Sequence, residues 1–143
     1  MTMRILISDK MSPDGLAHFT GHSGFEMVYN PEITMEELAE TIAEFDALVI
    51  RSRTQVTADT LAKPGKLKVI GRAGAGVDNV DLEAATARGI IVMNTPGGNT
   101  ISTGEHAISM LFALARRIPY ADRTMKEGKW EKKNIVGVEM FGK

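Results

Sequence analysis

Short apolar runs alternate with longer amphipathic stretches over the first two thirds of the chain. The runs are rich in β-branched side chains, which is typical of strands buried within a parallel sheet. They fall at residues 4–7, 25–29, 47–50, 67–70 and 90–93. This spacing predicts five buried strands joined by helix-length segments, and therefore βα repeats with helices on both faces of a sheet.

Helix-capping signals mark the segments between these strands. Ser12 followed by Pro13 is a typical helix start, and Thr34 with Glu37 has the spacing of a capping box. Further helices are predicted at residues 58–61 and 82–87. Because crossovers between parallel strands are right-handed, the helices must wind over both faces, which predicts a doubly wound, flavodoxin-like α/β fold.

The last third of the chain has a different pattern. Residues 99–117 predict a long helix with Ser102 and Glu105 as its capping box, and residues 120–127 predict a second helix. From residue 107 to 115 the long helix is apolar almost all round, so it must be buried on every side.

The two patterns indicate a flavodoxin-like domain at residues 1–95 and a linker, long helix and tail at 96–143. The second part is too apolar to be covered by its own residues and needs a partner. A homodimer that pairs the long helix with its symmetry mate, with Trp130 at the contact, is the simplest closed arrangement.

Composition narrows the function classes. Of the 143 residues, 43% are apolar and 24% charged, and the net charge of −1 predicts no broad attraction to nucleic acid or to anionic membranes. The absence of cysteine excludes disulfides, iron–sulfur clusters and thiolate metal sites. The three histidines show no metal-ligand spacing, and no apolar run is long enough to span a bilayer, so we expect a cytoplasmic protein without a metal.

Cations follow two of the predicted strands. The third strand leads into Arg51, Ser52 and Arg53, and the fourth leads into a glycine-rich loop, residues 71–76, that contains Arg72. Ligands of open α/β sheets bind beyond the carboxyl ends of the strands, and guanidinium groups bind carboxylate or phosphate in bidentate fashion. The sequence therefore predicts an anion site, against the alternative that these are solvated loop charges beside turn glycines.

Two glycine patterns in the chain resemble nucleotide motifs only in part. The loop GRAGAG has the spacing G-x-x-G-x-G, the reverse of the dinucleotide fingerprint, and Asn79 stands where a third glycine would fall. Residues 137–143 spell most of a Walker A loop, but they include Glu139 and follow no predicted strand. The sequence thus predicts neither a pyrophosphate cradle nor a nucleoside triphosphate site.

Three segments, VIRSRTQVT, GRAGAGVDNVDLEAATARGIIVMNTPGGNT and MKEGKWEKK, resemble the D-2-hydroxyacid dehydrogenase family, and the resemblance runs in register over the whole chain. It implies a flavodoxin-like substrate domain and a Rossmann domain that binds NAD. It also implies substrate-binding roles for Arg51, Ser52, Arg53, Arg72, Gly74, Asn99 and Lys132, and contact of Ala75 and Gly76 with the nicotinamide end of the cofactor.

The resemblance implies an NAD-linked oxidoreductase acting on a small phosphorylated hydroxy acid. In the family, the strand bearing G-x-G-x-x-G and the catalytic Arg, Glu and His would follow the equivalent of Lys143. Residues 96–143 would then begin the Rossmann domain, no catalytic residue is expected within the chain, and the isolated chain is expected to be inactive. Two alternatives stay open: a non-catalytic module for anion binding or dimerisation, and a dehydrogenase for another 2-hydroxy acid.

Overall fold

A five-stranded parallel sheet forms the centre of the first of two units, Met1–Gly98 and Asn99–Lys143, in a computed structural model that describes residues 2–143. The strands are β1 (Met3–Ile7), β2 (Phe25–Tyr29), β3 (Ala47–Ile50), β4 (Val69–Arg72) and β5 (Ile91–Asn94). They lie in the order β2-β1-β3-β4-β5, and every neighbouring pair is parallel. This order confirms the predicted doubly wound, flavodoxin-like architecture.

The first two of the three α-helices of the first unit begin at the predicted caps. The three are α1 (Pro13–Ala17), α2 (Met35–Thr41), which continues into a 3-10 helix (Ile42–Glu44), and α3 (Leu82–Ala87). The Glu37 N–H donates to Thr34 Oγ1 at 3.1 Å and the Thr34 N–H donates to Glu37 Oε2 at 3.0 Å, so the capping box is complete. Such caps satisfy amides that have no partner inside the helix.

The largest hydrophobic cluster lies on one face of the sheet. Leu6, Leu48 and Ile70 follow one another across adjacent strands and pack with side chains of α2 and α3. The opposite face carries Val49, Gly71 and Met93 in the next register row, beside the short helix α1.

The prediction of five buried strands is wrong for the sheet edges. In β5, Ile91 is 62% exposed and Met93 is 58% exposed, and in β2 Tyr29 is exposed as well. Each edge strand has a neighbour on one side only, and α1, with five residues, is too short to cover the face that includes β5.

Two predicted strand starts and one predicted helix also differ. β4 begins two residues later than predicted, where its pairing with β3 begins at Val69, and β5 begins one residue later, where its pairing with β4 begins at Ile91. Residues 58–61 form a turn rather than a helix. There the Thr57 hydroxyl accepts from the Thr60 N–H at 3.3 Å, a local side-chain bond of the kind that competes with helix formation.

The second unit contains α4 (Thr100–Ala115), α5 (Ile118–Lys126) and a 3-10 helix (Lys132–Asn134). The predicted capping box of α4 is wrong, because the helix begins before Ser102, whose Oγ donates to the Asn99 carbonyl at 3.1 Å. The long helix is shorter than predicted because Arg117 has a left-handed backbone with φ of 53°, and α5 begins directly after it.

The side chains of the second unit are largely exposed. No residue of α4 is buried, and Thr124 is the single buried residue between 99 and 143. The covering that the sequence predicts for α4 is not supplied within residues 2–143, where Ile101 is 77% and Leu114 is 80% exposed. Within residues 2–143, each helix is too short or too polar to span a bilayer.

Candidate functional site: the strand ends of β1, β3 and β4

The sheet order brings the carboxyl ends of β1, β3 and β4 together. The Ser8 N–H donates to the Val49 carbonyl at 3.1 Å, and the Ala73 N–H donates to the Ile50 carbonyl at 2.9 Å. The segments that follow these strands, residues 51–54 and 73–76, therefore lie at one edge of the sheet. Arg51, Ser52, Arg53, Arg72, Gly74, Ala75 and Gly76 are all brought to this edge.

Asp9, which sequence reasoning did not select, fixes the segment after β3. Its side chain is buried, and Oδ2 accepts from the backbone N–H of Arg51 at 2.5 Å and from that of Thr54 at 3.2 Å. Oδ1 accepts from Thr54 Oγ1 at 2.8 Å and from Arg53 Nε at 3.1 Å. The signal that could have found it is its position directly after β1, next to the end of β3 in a flavodoxin-like sheet.

The two arginines after β3 have different surroundings. All three guanidinium nitrogens of Arg53 donate within the chain, Nε to Asp9, Nη1 to the Ile33 carbonyl at 3.1 Å and Nη2 to the Ser8 carbonyl at 2.5 Å. Arg51 donates from Nη1 to the Lys10 carbonyl at 3.0 Å, and its other guanidinium nitrogens have no partner within residues 2–143. Arg51 therefore has free donors, whereas Arg53 mainly holds the loop in place.

An open pocket of about 270 Å³ lies beside this segment. Its lining residues are Asp9, Lys10, Pro31, Glu32, Arg51, Ser52 and Arg53. Lys10, a cation that the sequence analysis did not select, pairs with Glu32 at 3.2 Å between Nζ and Oε1. Three cations and two carboxylates thus surround the pocket, and the cations outnumber the acids.

Arg72 is at the end of β4 rather than in the loop that follows. Its side chain is only 11% exposed, with Nε donating to the Arg51 carbonyl at 3.3 Å and Nη2 lying 3.6 Å from Asp78 Oδ1. A Cβ at Gly76 would approach Arg72 Nη1 to 3.0 Å and Asp78 Oδ1 to 2.7 Å. Glycine at position 76 therefore makes room for this ion pair.

The glycine-rich loop has both held and free amides. The Gly74 N–H donates to the Arg72 carbonyl at 2.9 Å, and Asn94 Nδ2 donates to the Ala75 carbonyl at 2.6 Å, which ties the loop to the end of β5. Within the part of the chain that the structure describes, the N–H groups of Ala75 and Gly76 make no hydrogen bond. They are available to an acceptor from outside the chain.

Asn79 and Asp81 have structural roles in the turn before α3. Asn79 Nδ2 donates to the carbonyls of Arg51 and Thr54 at 2.7 and 2.6 Å, which joins the turn before α3 to the segment after β3. Asp81 Oδ1 accepts from the Ala84 N–H at 2.8 Å and caps α3. The position where a dinucleotide fingerprint has its third glycine is thus occupied by a buried side chain that bonds to backbone.

Asn99 and Lys132 belong to the second unit. Asn99 stands at the N-cap of α4 with no side-chain bond to the helix, and Lys132 begins the 3-10 helix; both are exposed. Their substrate contacts remain predictions. Across residues 2–143, no cluster of three or more His, Asp or Glu side chains has the geometry to hold a metal ion.

Comparison with known proteins identifies the family. The model of the D-isomer specific 2-hydroxyacid dehydrogenase catalytic domain matches residues 5–135. The chain belongs to this family. Among its relatives are the D-3-phosphoglycerate dehydrogenase of Archaeoglobus fulgidus, 47% identical over 99% of this chain, and that of Homo sapiens, 46% identical over 98%. The chain spans 27% and 26% of the lengths of these two relatives.

A solved structure of the same family resembles the fold of this chain. It is the NAD⁺-bound 3-phosphoglycerate dehydrogenase of Entamoeba histolytica, 30% identical, with a TM-score of 0.71 over 81% of this chain and 40% of the other.

Proposed function

We propose that this chain is the substrate-binding part of an NAD-dependent dehydrogenase that oxidises 3-phosphoglycerate to 3-phosphohydroxypyruvate, the first step toward serine. The observation that carries the proposal is the joint position of Arg51 and Arg72 at neighbouring strand ends, where Arg72 Nε donates to the Arg51 carbonyl at 3.3 Å. Similarity to D-3-phosphoglycerate dehydrogenases of 46–47% supports the choice of substrate.

The proposed substrate carries two anionic groups, and the site offers two sets of donors. Arg51 and Ser52, with the positive charges of Lys10 and Arg53, bind one group in the pocket after β3. Arg72 binds the other group together with the free amides of the loop that contains Gly74, Ala75 and Gly76. Asn99 and Lys132 are proposed as further substrate contacts on the basis of the family resemblance.

NAD, the proposed cofactor, accepts a hydride when bound, but residues 2–143 do not fit its pyrophosphate. The spacing of the glycines is reversed, and Asn79, at the position of the third glycine, is buried and donates to two backbone carbonyls. Ala75 and Gly76 are therefore proposed to contact only the nicotinamide end. Hydride transfer requires the reacting atoms of cofactor and substrate to be held about 3–3.5 Å apart. Because residues 2–143 do not fit the pyrophosphate that would hold the cofactor, a polypeptide of residues 1–143 is expected to be inactive.

The activity prediction is tested with purified chain, NAD and 3-phosphoglycerate, with NADH formation followed by absorbance. We expect a rate equal to that of a blank from the same purification. Steady turnover above that blank would contradict the assignment of this chain to substrate binding alone.

The binding proposal is tested by titrating the chain with 3-phosphoglycerate while its amide resonances are recorded. Shifts are expected at residues 51–53 and 72–76, and Arg51→Ala should weaken binding by about 1.5–3 kcal/mol because a charge-assisted hydrogen bond is lost. Lys63→Ala, which removes an exposed cation outside the pocket, is the matched control and should bind as the unaltered chain does. Shifts confined to residues 129–143, or equal binding by Arg51→Ala, would contradict the site.

The same titration separates the two alternatives. D-Lactate and D-glycerate carry a carboxylate but no phosphate, so the proposal expects them to bind more weakly than 3-phosphoglycerate. Equal binding of all three would favour a dehydrogenase for another 2-hydroxy acid. Equal binding of inorganic phosphate and 3-phosphoglycerate would favour a module for small anions, because the site would then recognise a single anionic group.

We also propose that the chain forms a homodimer through α4. The exposed apolar side chains of this helix, Ile101, Ile108, Met110, Leu111, Phe112 and Leu114, support the proposal. Trp130, which is 77% exposed, is proposed to lie at the contact. Burial of such side chains drives association, and a two-fold axis closes the assembly.

A further inference from the structure

We propose that Asp9 is a positioning residue of the anion site, whose carboxylate holds residues 51–54 in the conformation that presents Arg51 and Ser52 to the ligand. Asp9 itself does not bind the anion. The inference rests on the proposed function, because it assigns a role within the same site.

The hydrogen bonds of Asp9 determine the path of the segment after β3. Its two oxygens accept from the N–H groups of Arg51 and Thr54, from the Thr54 hydroxyl and from Arg53 Nε. Both ends of the Arg51–Thr54 turn are thereby attached to the end of β1. Ser52 lies between these attachments, and both Arg51 and Ser52 line the pocket.

Arg53 completes the same arrangement. It donates to Asp9, to the Ser8 carbonyl and to the Ile33 carbonyl, so one side chain joins the end of β1 to the residue before the α2 cap. The charge of Asp9 is thus compensated by an ion pair with Nε–Oδ1 of 3.1 Å and by three further donors. A buried carboxylate is stable when its lone pairs are satisfied in this way.

An acid on the wall of an anion pocket should weaken anion binding by Coulomb repulsion. Glu32 lines the same pocket, but it pairs only with Lys10 and makes no bond to residues 51–54. Removing the charge of Glu32 should therefore leave anion affinity unchanged or raise it. Removing the charge of Asp9 should lower affinity in spite of the reduced repulsion, because asparagine replaces one carboxylate oxygen with an amide nitrogen that cannot accept from the turn.

The experiment compares Asp9→Asn with Glu32→Gln in the 143-residue chain, using 3-phosphoglycerate and inorganic sulfate as probes. Dissociation constants are taken from amide shifts of Arg51 and Ser52, and hydrogen exchange of the Arg51 and Thr54 amides is measured without ligand. Asp9→Asn is expected to weaken binding about tenfold, which corresponds to about one lost hydrogen bond. It is also expected to speed hydrogen exchange of both amides. Glu32→Gln is expected to bind at least as tightly as the unaltered chain.

Thr54 provides a second pair of variants in case Asp9→Asn does not fold. Its side chain is fully buried and cannot touch a ligand, and its hydroxyl donates to Asp9 Oδ1. Thr54→Val keeps the shape and removes this donor, so it should weaken binding, whereas Thr54→Ser keeps the donor and should restore it. If Thr54 had only a general structural role, the folded Thr54→Val and Thr54→Ser variants would bind the anion with the same affinity.

The outcomes separate the two proposals. If the unaltered chain binds at residues 51–53 but Asp9→Asn or Thr54→Val binds equally well or more tightly while folded, Asp9 does not position the site and the proposed function stands. If the unaltered chain binds neither probe there, the proposed anion site fails, and the role of Asp9 in it fails as well.

Discussion

The two units of the chain differ in how their apolar side chains are covered. In the first unit, Leu48, Ile50 and Ile70 are fully buried between the sheet and the helices of the same unit. In the second, Leu111 is 48% and Phe112 is 47% exposed, and no side chain of α4 is buried. Both units are rich in apolar residues, but only the first buries them within itself.

This difference shows that an apolar pattern in the sequence predicts which side chains need to be buried, but not which surface covers them. Strands and amphipathic helices of the first unit cover one another, because each has one face that fits the next. The helix α4 is apolar on several sides, so it needs a surface that residues 99–143 do not supply. The comparison therefore predicts opposite responses of the two units to substitution and to dilution.

The largest effect is expected from removing a core side chain. Ile70→Ala, in β4, should destabilise the chain by about 2–5 kcal/mol because a fully buried side chain leaves a cavity. The matched variant Ile108→Ala, at a position 57% exposed, should change stability by no more than about 0.5 kcal/mol at high dilution. Urea unfolding at two protein concentrations measures both, and an Ile108 effect that grows with concentration would show that a second copy covers α4.

The next effect concerns the proposed dimer. Leu111→Asp should weaken self-association, since burial of one such side chain contributes about 1.5–3 kcal/mol and a buried aspartate would be unpaired. Ser109→Asp introduces the same charge about 200° around the helix and serves as the control. Sedimentation over a range of concentrations should show a dimer that dissociates on dilution and with Leu111→Asp. A monomer at every concentration, with the amides of α4 protected from exchange, would contradict the dimer.

Much of the first unit could be predicted from sequence because its signals are local. The strand at 47–50 is recognised from four consecutive apolar residues, and the cap at Thr34 from a spacing of three. The exposed edges could not be predicted, because the residues of β5 are as apolar as those of β3 and only the position in the sheet distinguishes them. Edge position depends on the order of all five strands.

The proximity of the candidate site residues was predictable, but their contacts were not. The cations after β3 and β4 lie at one edge of the sheet, as the sequence predicts, and Arg72 Nε donates to the Arg51 carbonyl there. The sequence could not show that Arg53 uses its donors within the chain, because its partners are distant in sequence. The Ile33 carbonyl is 20 residues away and Asp9 is 44 residues away. The role of Asp9 depends on the same long-range pairing of β1 with β3.

The smallest effect tests two capping boxes that look alike in sequence. The segments that begin at Thr34 and at Ser102 both place a glutamate three residues later, yet only the first forms the reciprocal bonds. Thr34→Ala should therefore destabilise the chain by about 1 kcal/mol, because the Glu37 amide loses its acceptor. Ser102→Ala should be neutral within about 0.5 kcal/mol, since Ser102 lies inside α4 and alanine favours a helix interior. Thermal unfolding of the two variants measures the difference, and an equal loss in both would mean that α4 begins at Ser102 after all.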